Sequence, residues 1–544
     1  PREQQNSKLF VEYRVSRSFL IISLTTMKPL LLACWLVWLT AATASSALEI
    51  PRRQYELNLP STGGEDSDFG RFWAARRGVP LVSHPTRTHH TQHQHGHLDY
   101  EAFGAGTSGF GAAAAPPTPE PQTPNGTYAL NVWQFGAKGD GKTDDTGAFQ
   151  KALDESYRLG SLLVMVPPGQ YVIRGNITIP QGSTLQGTYF SVPAHNSGQD
   201  ATHGQPDEGS IILAYGGRGL TTNSCMIALS ELSVFHGFTI YYPEQVPDKA
   251  PVPYPWSVCL NGINAAVTDV ECLNCWNAVR AVQAHRHYIA RIQGQPINMG
   301  IFVDQTYDIG RIEDVHFNPW YSSHPEYVAW QMLHGQSFVF ARTDWEYVFN
   351  TFAFAYAVGY RFIESPTGAC NGNFLGIGAD MVANASVQVD AAQGEGILIT
   401  NGEFTSFIGK SWGKQYAEPT QILVSPSNTG AVRLSNTAFW GPSYQVAKIS
   451  GSGTVGFMGC TLVDWDAAKL HHPAIEVVGG TGNLIVQGCD FMKKTKDSKH
   501  VSLGSTLARA VITGNTFETT MSIAGSAHNN QIGLNADDTA HSYP

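Results

Sequence analysis

The chain has 544 residues, of which 42% are hydrophobic and 14% are charged, and its formal net charge is −10. So few charges disfavour coiled coils and long solvent-exposed helices, since about a quarter of the residues are charged in an average protein. The acidic balance disfavours a nucleic-acid partner, because nucleic-acid-binding proteins usually present a basic face.

The first segments follow the pattern of a secreted protein. Residues 1–26 precede the first methionine and are interpreted as a translated leader without a structural role. Residues 27–47 combine Lys28, an apolar run over 30–39 and small residues from Ala42 onward, the pattern of a secretory signal peptide. That run is too short to span a bilayer. We therefore expect a secreted, extracellular protein that has no membrane partner.

Residues 48–127 are rich in His, Pro, Gly and Ala, and this composition predicts a disordered linker. After it, residues 128–540 are expected to form one catalytic domain. A helix is predicted near its start, capped by residues 143–145 and with one apolar face: Phe149, Ala152, Leu153 and Tyr157. A strand over 162–166 follows and ends at 167–169.

A repeated pattern occupies the carboxyl-terminal part of this domain. In five segments, alternating apolar residues lead to a turn position that is followed three residues later by another apolar residue. These segments span residues 397–404, 432–439, 455–462, 484–491 and 510–517. Their turn positions are Asn401, Asn436, Gly459, Gly488 and Gly514, separated by 35, 23, 29 and 26 residues.

This pattern predicts a solenoid of short parallel strands. Alternation indicates a strand with one buried face, and Asn and Gly tolerate the left-handed conformation that a sharp corner needs. Each turn of such a coil buries its core only by stacking on its neighbours. Asp269 and Asp314 hold the corner position in two looser upstream copies. The helix over residues 146–158 is expected to cover the open end of the stack.

Seven cysteines follow the signal segment, and secretion permits disulfides among them, with at least one left free. Cys272 and Cys275 form a lone CxxC pair without a second pair to complete a zinc site, so no metal is predicted there. Cys460 and Cys489 share one repeat position and should lie on adjacent rungs, either bridged or stacked unbonded.

Residues 135–145 and 166–173, with the helix between them, resemble the opening motif of the pectate-lyase-superfamily proteins. The resemblance implies an all-β fold, a single-stranded right-handed parallel β-helix with an amino-terminal capping helix, most often acting on polysaccharide. It also implies that Asp140, Asp144 and Asp145 serve turns and caps. The ordered motif series of the polygalacturonase-type hydrolases is missing, so the resemblance leaves the reaction open.

Chemistry-bearing residues are concentrated between about 285 and 405. Hydrolysis of a glycosidic bond uses two carboxylates, and neighbouring rungs of a coil can supply such a pair. Alternation in residues 342–346 is expected to place two of them on one face. The candidate catalytic residues are Asp304, Asp344, Glu346 and Asp380.

Aromatic and basic side chains in the same stretch suit a glycan groove, because aromatic rings cover the apolar faces of sugars. The candidate substrate-binding residues are His287, Arg311, His316, Trp320, Tyr321, Arg342 and Trp345. A lyase needs a base and positive charge on a uronate carboxylate. The basic residues of this stretch that could serve it are His285, Arg286, His287, Arg291, Arg311, His316 and Arg342.

Three functions therefore remain open: a glycoside hydrolase, favoured by the carboxylates; a lyase acting on a uronate polymer; and a non-catalytic carbohydrate-binding β-helix. No cofactor is expected, and calcium only for a lyase. The expected partner is a polysaccharide substrate, and the chain is expected to be a monomer or a trimer.

Overall fold

The computed structural model describes residues 128–195, 205–406, 410–411, 414–416 and 418–538, and two short strands, Arg14–Val15 and Ser18–Phe19, which pair antiparallel. The predicted signal peptide (27–47) and the predicted linker up to residue 127 lie outside the described residues. In the larger part, successive strands pair in parallel with strands one turn away, in long sheets. The predicted parallel β-helix is confirmed.

Three sheets run along the β-helix. The one with 13 strands, here called sheet A, receives one short strand from each turn of the coil. In chain order its strands are Ile177–Ile179, Cys225–Leu229, Trp256–Leu260, Asn277–Val282, Met299–Asp304, Gln336–Phe340, Val358–Phe362, Ala385–Val389, Thr420–Val424, Gln445–Ile449, Ile475–Val477, Val501–Leu503 and Ile523–Gly525.

The other two, sheets B and C, share five long strands that bend from one sheet into the other. These are Val234–Tyr241, Ala266–Cys272, Tyr288–Gly294, Arg311–Phe317 and Thr343–Phe354. The further strands of sheet B are Ala129–Asn131, Leu163–Met165, Thr184–Gln186, Cys370–Leu375, Ala392–Thr400, Val432–Ser435, Thr454–Met458, Asn483–Gln487, Arg509–Thr513 and Asn529–Gly533. Those of sheet C are Asp140–Asp144, Gly169–Ile173, Ser210–Ala214, Gly378–Val382, Glu403–Ser406, Ala438–Phe439, Thr461–Val463, Asp490–Met492 and Thr516–Phe517.

The corner between sheets B and C is made by a residue in the left-handed region. All five predicted turn positions have it, with φ of 56° at Asn401, 50° at Asn436, 61° at Gly459, 64° at Gly488 and 68° at Gly514. The looser upstream copies follow the same rule, since φ is 57° at Asp269 and 55° at Asp314. The corner prediction is therefore confirmed in both halves of the stack.

Helix α1 spans Thr146–Arg158 and packs against the first strands of the stack. It buries Phe149, Ala152, Leu153 and Ser156. The prediction that Tyr157 completes this face is wrong, because positions 149, 153 and 156 already define the buried stripe and Tyr157 lies beside it, 55% exposed. The expected end-covering role of α1 stays a prediction.

The three acidic residues before α1 serve turns, as the resemblance implies, but the helix cap differs from the expected one. Asp145 is the N-cap, yet its carboxylate turns away and accepts hydrogen bonds from the backbone N–H groups of Lys138 and Gly139. Asp144 instead accepts from the backbone of Thr146, and Asp140 from the backbones of Lys142 and Thr143.

The interior is a continuous apolar core along the coil, in which aromatic side chains of successive rungs stack. Phe338 and Tyr360 stack at 4.7 Å between ring centroids, as do Phe491 and Phe517. A second helix, α2, spans Pro325–His334 and connects the strand Arg311–Phe317 to the sheet A strand Gln336–Phe340. Neither helix is long and apolar enough, nor is any other in the described residues, to cross a membrane.

The cysteines divide into one bridge and five free thiols in the described residues. Cys225 and Cys259 form a disulfide across neighbouring strands of sheet A. Cys460 and Cys489 are buried, free and adjacent, with the Cys460 backbone N–H 3.4 Å from the Cys489 sulfur. Of the two alternatives for this pair, the structure has the unbonded stack. Cys272 and Cys275 are also free and buried.

Candidate functional site

An open cleft of about 510 Å³ lies where the chain passes from sheet A to sheet B. Four successive rungs contribute short segments to it, so its shape depends on the stacking of the coil. Its lining residues are Tyr307, Asp308, Ile309, Asp344, Trp345, Asn371, Gln393 and Glu395. The cleft lining therefore includes Asp344, one of the candidate catalytic residues.

Asp344 is held from both sides. One carboxylate oxygen accepts a hydrogen bond from Arg342 Nη2 at 2.9 Å, and the other accepts one from Gln393 Nε2 at 2.6 Å. The side chain of Asp344 remains 26% exposed. A fixed, partly exposed carboxylate between two donors is oriented as an acceptor, which is what a nucleophile or a general base requires.

Asp304 stabilises the backbone that precedes Asp344. It ends its sheet A strand, is only 7% exposed, and accepts hydrogen bonds from the backbone N–H of Arg342 at 3.0 Å and from Ser365 Oγ at 2.9 Å. These bonds fix the chain at the point where Arg342 turns toward Asp344. The structure therefore brings Asp304 next to the cleft, in a positioning contact and outside the cleft lining.

Two exposed aromatic side chains stand at the cleft. Trp345 is 60% exposed and Tyr307 is 48% exposed. The guanidinium of Arg342 lies 5.5 Å from the centre of the Tyr307 ring. Two buried polar atoms beside the cleft, Arg342 Nε and Thr306 Oγ1, have no hydrogen-bond partner. Unpaired buried polar atoms are costly, so these two side chains next to the cleft are less fully satisfied than most buried polar groups.

Glu346 does not share a face with Asp344, and this expectation from alternation is wrong. Trp345 between them has φ of 54°, and the pairing of this strand shifts register between Thr343 and Glu346. Asp344 and Trp345 consequently both face outward, whereas Glu346 is fully buried. A left-handed residue inside a strand breaks the period of two that the prediction assumed.

Inside the coil, Glu346 forms an ion pair with His287, another candidate residue. His287 Nε2 lies 3.0 Å from the Glu346 carboxylate, and its Nδ1 lies 3.0 Å from the carbonyl oxygen of Ala284. Burial alone would lower the pKa of His287, but the Glu346 carboxylate outweighs it and the pKa is raised. Both side chains are fully buried, so neither lines the cleft.

Asp380 lies at the other end of the long strand that carries Asp344. It pairs in register with Phe354, ten positions beyond Asp344, and burial raises the pKa of its carboxyl group. The structure therefore does not bring Asp380 together with the cleft.

The predicted binding residues are divided as well. His316, Trp320 and Tyr321 belong to the sheet C side: the His316 ring packs on Trp320 at 4.4 Å, and Tyr321 is 5% exposed. Burial lowers the pKa of His316 to about 4. Arg311 is exposed on sheet B and pairs in register with Tyr347. Only Arg342 and Trp345 of this set meet Asp344.

Sequence reasoning missed three polar residues of the cleft as site candidates: Asn371, Gln393 and Glu395. Asn371 Oδ1 accepts a hydrogen bond from the backbone N–H of Trp345, and its Nδ2 donates to Gln393 at 2.8 Å. Glu395 is exposed, and its side chain makes no hydrogen bond or ion pair within the described part of the chain. One signal could have found Asn371 and Gln393, since each directly follows one of two residues, Cys370 and Ala392, that pair on adjacent rungs.

Three of the basic residues considered for a lyase already make hydrogen bonds or ion pairs within the protein. His285 Nδ1 accepts a hydrogen bond from the backbone N–H of Tyr307, so a neutral His285 carries its proton on the other nitrogen. Arg286 pairs with Asp308 at 2.5 Å, and Arg291 forms a bidentate pair with Asp269. No group of three or more His, Cys, Asp and Glu side chains in the described residues could hold a metal ion.

Comparison with known proteins supports the sequence resemblance. Residues 129–208 match the family model described as "Rhamnogalacturonase A/epimerase, pectate lyase-like". The resemblance to pectate-lyase-like proteins is confirmed. The matched region contains the opening motif and helix α1, whereas the cleft lies beyond it.

Curated relatives match only short stretches. The chain is 46% identical to "Alginate lyase 7" from Azotobacter vinelandii over 55 residues, 10% of this chain and 6% of that protein. It is 36% identical to a "Probable glucan endo-1,3-beta-glucosidase" from Arthroderma benhamiae over 119 residues, 15% of this chain and 13% of that protein. The chain thus matches a small fraction of the length of these relatives.

Among solved structures, the pre-mature bacteriophage phi29 gene product 12 has a TM-score of 0.48 and 14% sequence identity. The comparison covers 75% of this chain and 55% of that chain.

Proposed function

We propose that this protein is a secreted glycoside hydrolase that cleaves a polysaccharide in the cleft around Asp344. The observation that carries the proposal is the Asp344 carboxylate, partly exposed and fixed by Arg342 and Gln393 between two exposed aromatic rings. Similarity to a family of polysaccharide-active proteins supports the substrate class. Secretion, and a monomeric or trimeric state, remain parts of the proposal.

In the proposed reaction, Asp344 acts as the nucleophile or general base. Its two hydrogen bonds leave it as an acceptor aimed into the cleft, where it would attack the anomeric carbon or activate a water molecule. Glu395 is the proposed general acid, because it lines the same cleft and its side chain has no hydrogen-bond or ion-pair partner among the described residues. Trp345 and Tyr307 would hold the sugar rings by their apolar faces.

A uronate lyase is the second candidate, favoured by Arg342. Its side chain is 26% exposed, so the guanidinium could also bind a substrate carboxylate. Hydrolysis is preferred because the described cleft supplies carboxylates, whereas the neighbouring His285 already uses its Nδ1 as an acceptor. A non-catalytic carbohydrate-binding protein would share the aromatic rings and release no product.

The test is product release from a panel of polysaccharides by Asp344→Asn and Glu395→Gln. Each should lower the rate of reducing-end release at least about a hundredfold, since positioned acid–base groups contribute about 10²–10⁴-fold. Asp154→Asn, on the exposed face of α1, is the matched control and should keep full activity. Full activity in both cleft variants would refute the site.

The form of the product separates the candidates. A product that absorbs in the near ultraviolet, as an unsaturated uronate does, would overturn hydrolysis in favour of the lyase. Binding without any product over long incubation would support the non-catalytic alternative.

A further inference from the structure

Three aromatic side chains form a row on the outer face of sheet B. Trp345, Tyr347 and Phe349 follow one another on the strand Thr343–Phe354 and are 60%, 43% and 49% exposed. Glu346 and Val348 between them are buried. We call these three side chains the aromatic row. Exposed large aromatics in such a row are unusual unless a ligand covers them.

The row begins at the cleft and leads away from it. Trp345 lines the cleft, and Tyr347 and Phe349 extend across the sheet at steps of about 6.6 Å, the repeat of alternate residues in a strand. It therefore runs along the strand, across the long axis of the coil. A chain that leaves the cleft in this direction would meet one ring after another.

Polar side chains flank Tyr347 on both sides and Phe349 on one side. On the preceding rung, Arg311 lies in register with Tyr347 and Glu313 with Phe349. On the following rung, Asn373 lies in register with Tyr347. Arg311 is exposed and makes no side-chain hydrogen bond or ion pair within the described residues. The row is thus an apolar line with hydrogen-bonding groups beside Tyr347, and the exposed Leu375 on the following rung widens it next to Phe349.

The size of the row favours a thin ligand. Aromatic side chains bury about 150–250 Å² each, so the exposed parts of these three offer on the order of 300 Å². A stable protein partner needs about 800 Å² on each side. A sugar chain needs only a line of rings for its apolar faces and donors or acceptors for its hydroxyl groups.

We propose that the aromatic row is a binding platform for a linear polysaccharide, continuing from the cleft across sheet B. Sugar rings stack on Tyr347 and Phe349, while Arg311 and Asn373 bond their hydroxyl or carboxylate groups. The inference rests on the proposed function through Trp345, which belongs to both surfaces. Tyr347 and Phe349 take no part in bond cleavage and act on the affinity for long chains.

The test measures binding of the double variant Tyr347→Ala/Phe349→Ala by affinity electrophoresis in gels that contain polygalacturonate, alginate or a β-1,3-glucan. The dissociation constant for the polymer that binds the wild-type protein should rise about tenfold, as expected for the loss of two stacking contacts. Tyr347→Phe keeps the ring and should bind like the wild type. Trp440→Ala, which removes an exposed ring elsewhere, is the matched control. Thermal unfolding checks that the variants fold.

Outcomes for the row and the cleft are distinguishable. If Asp344→Asn is inactive and the double variant binds normally, the binding role of the aromatic row is refuted and the proposed function is supported. If Asp344→Asn is fully active and the double variant binds weakly, the catalytic site assignment is refuted and the binding role of the aromatic row is supported. Two further results would refute the binding role of the aromatic row. The first is that the wild-type protein binds none of the three polymers. The second is that the double variant forms a smaller oligomer than the wild type but binds the polymer equally well.

Discussion

Two acidic residues only two positions apart, Asp344 and Glu346, belong to different parts of the molecule. Asp344 faces a cleft and pairs with Arg342, whereas Glu346 faces the core and pairs with His287. The left-handed residue Trp345 separates them. The comparison shows that one backbone angle decides whether a carboxylate is available to a ligand or serves the interior of the coil.

The largest expected difference is in stability. Glu346→Ala would leave His287 buried without its carboxylate, and breaking a buried pair on one side costs about 3–5 kcal/mol in the free energy of unfolding. Asp344→Ala should cost less than about 1 kcal/mol, because its pair is partly exposed. Denaturant unfolding of both variants measures the difference. Equal losses would contradict the division into an interior pair and a cleft pair.

A second expected difference concerns pH and compares His287, which faces the buried Glu346 carboxylate, with His500, which is packed among aromatic rings. His500 lies among Trp465, Phe491 and Phe517, and burial lowers its pKa to about 4. The unfolded chain binds this proton more readily, so stability should fall by about 3 kcal/mol as the pH drops from about 6.5 to 4. The raised pKa of His287 has the opposite sign, since its contribution is present in acid and lost as the pH rises through that pKa.

His500→Phe checks this difference. The variant loses the acceptor for the Ser522 backbone N–H and should be less stable at neutral pH. Its free energy of unfolding should nevertheless fall less steeply than that of the wild type between pH 6.5 and 4. An unchanged difference between the two proteins across this range would show that His500 is protonated equally in the folded and unfolded chains.

The smallest expected effect isolates the backbone angle itself. Trp345→Gly and Trp345→Ala both remove the ring, but only glycine adopts a φ of 54° without strain. The glycine variant should therefore be more stable than the alanine variant by about 1 kcal/mol. The reverse order in thermal unfolding would mean that the left-handed conformation at this position is not what separates Asp344 from Glu346.

The sequence was sufficient for the coil but only partly for the site. Corner residues such as Asn436 and Gly488 could be predicted because the repeat marks each one and their residue types suit the left-handed region. A tryptophan in that region carries no such mark, since bulky residues seldom adopt it, so Glu346 was placed on the wrong face. Gln393 was missed because its contact with Asp344 joins residues 49 positions apart, a distance that depends on the lengths of the intervening loops.

The position of the cleft along the stack has a consequence for its dynamics. Each rung of a coil bonds only to the two rungs beside it, so opening begins at the free ends and moves inward. The strands Met299–Asp304 and Gln336–Phe340, which lead into the cleft, lie near the middle of sheet A. Their backbone amides should exchange with solvent hydrogen more slowly than those of Ile177–Ile179 or Ile523–Gly525. The proposed active site would then lie on the part of the coil that opens last.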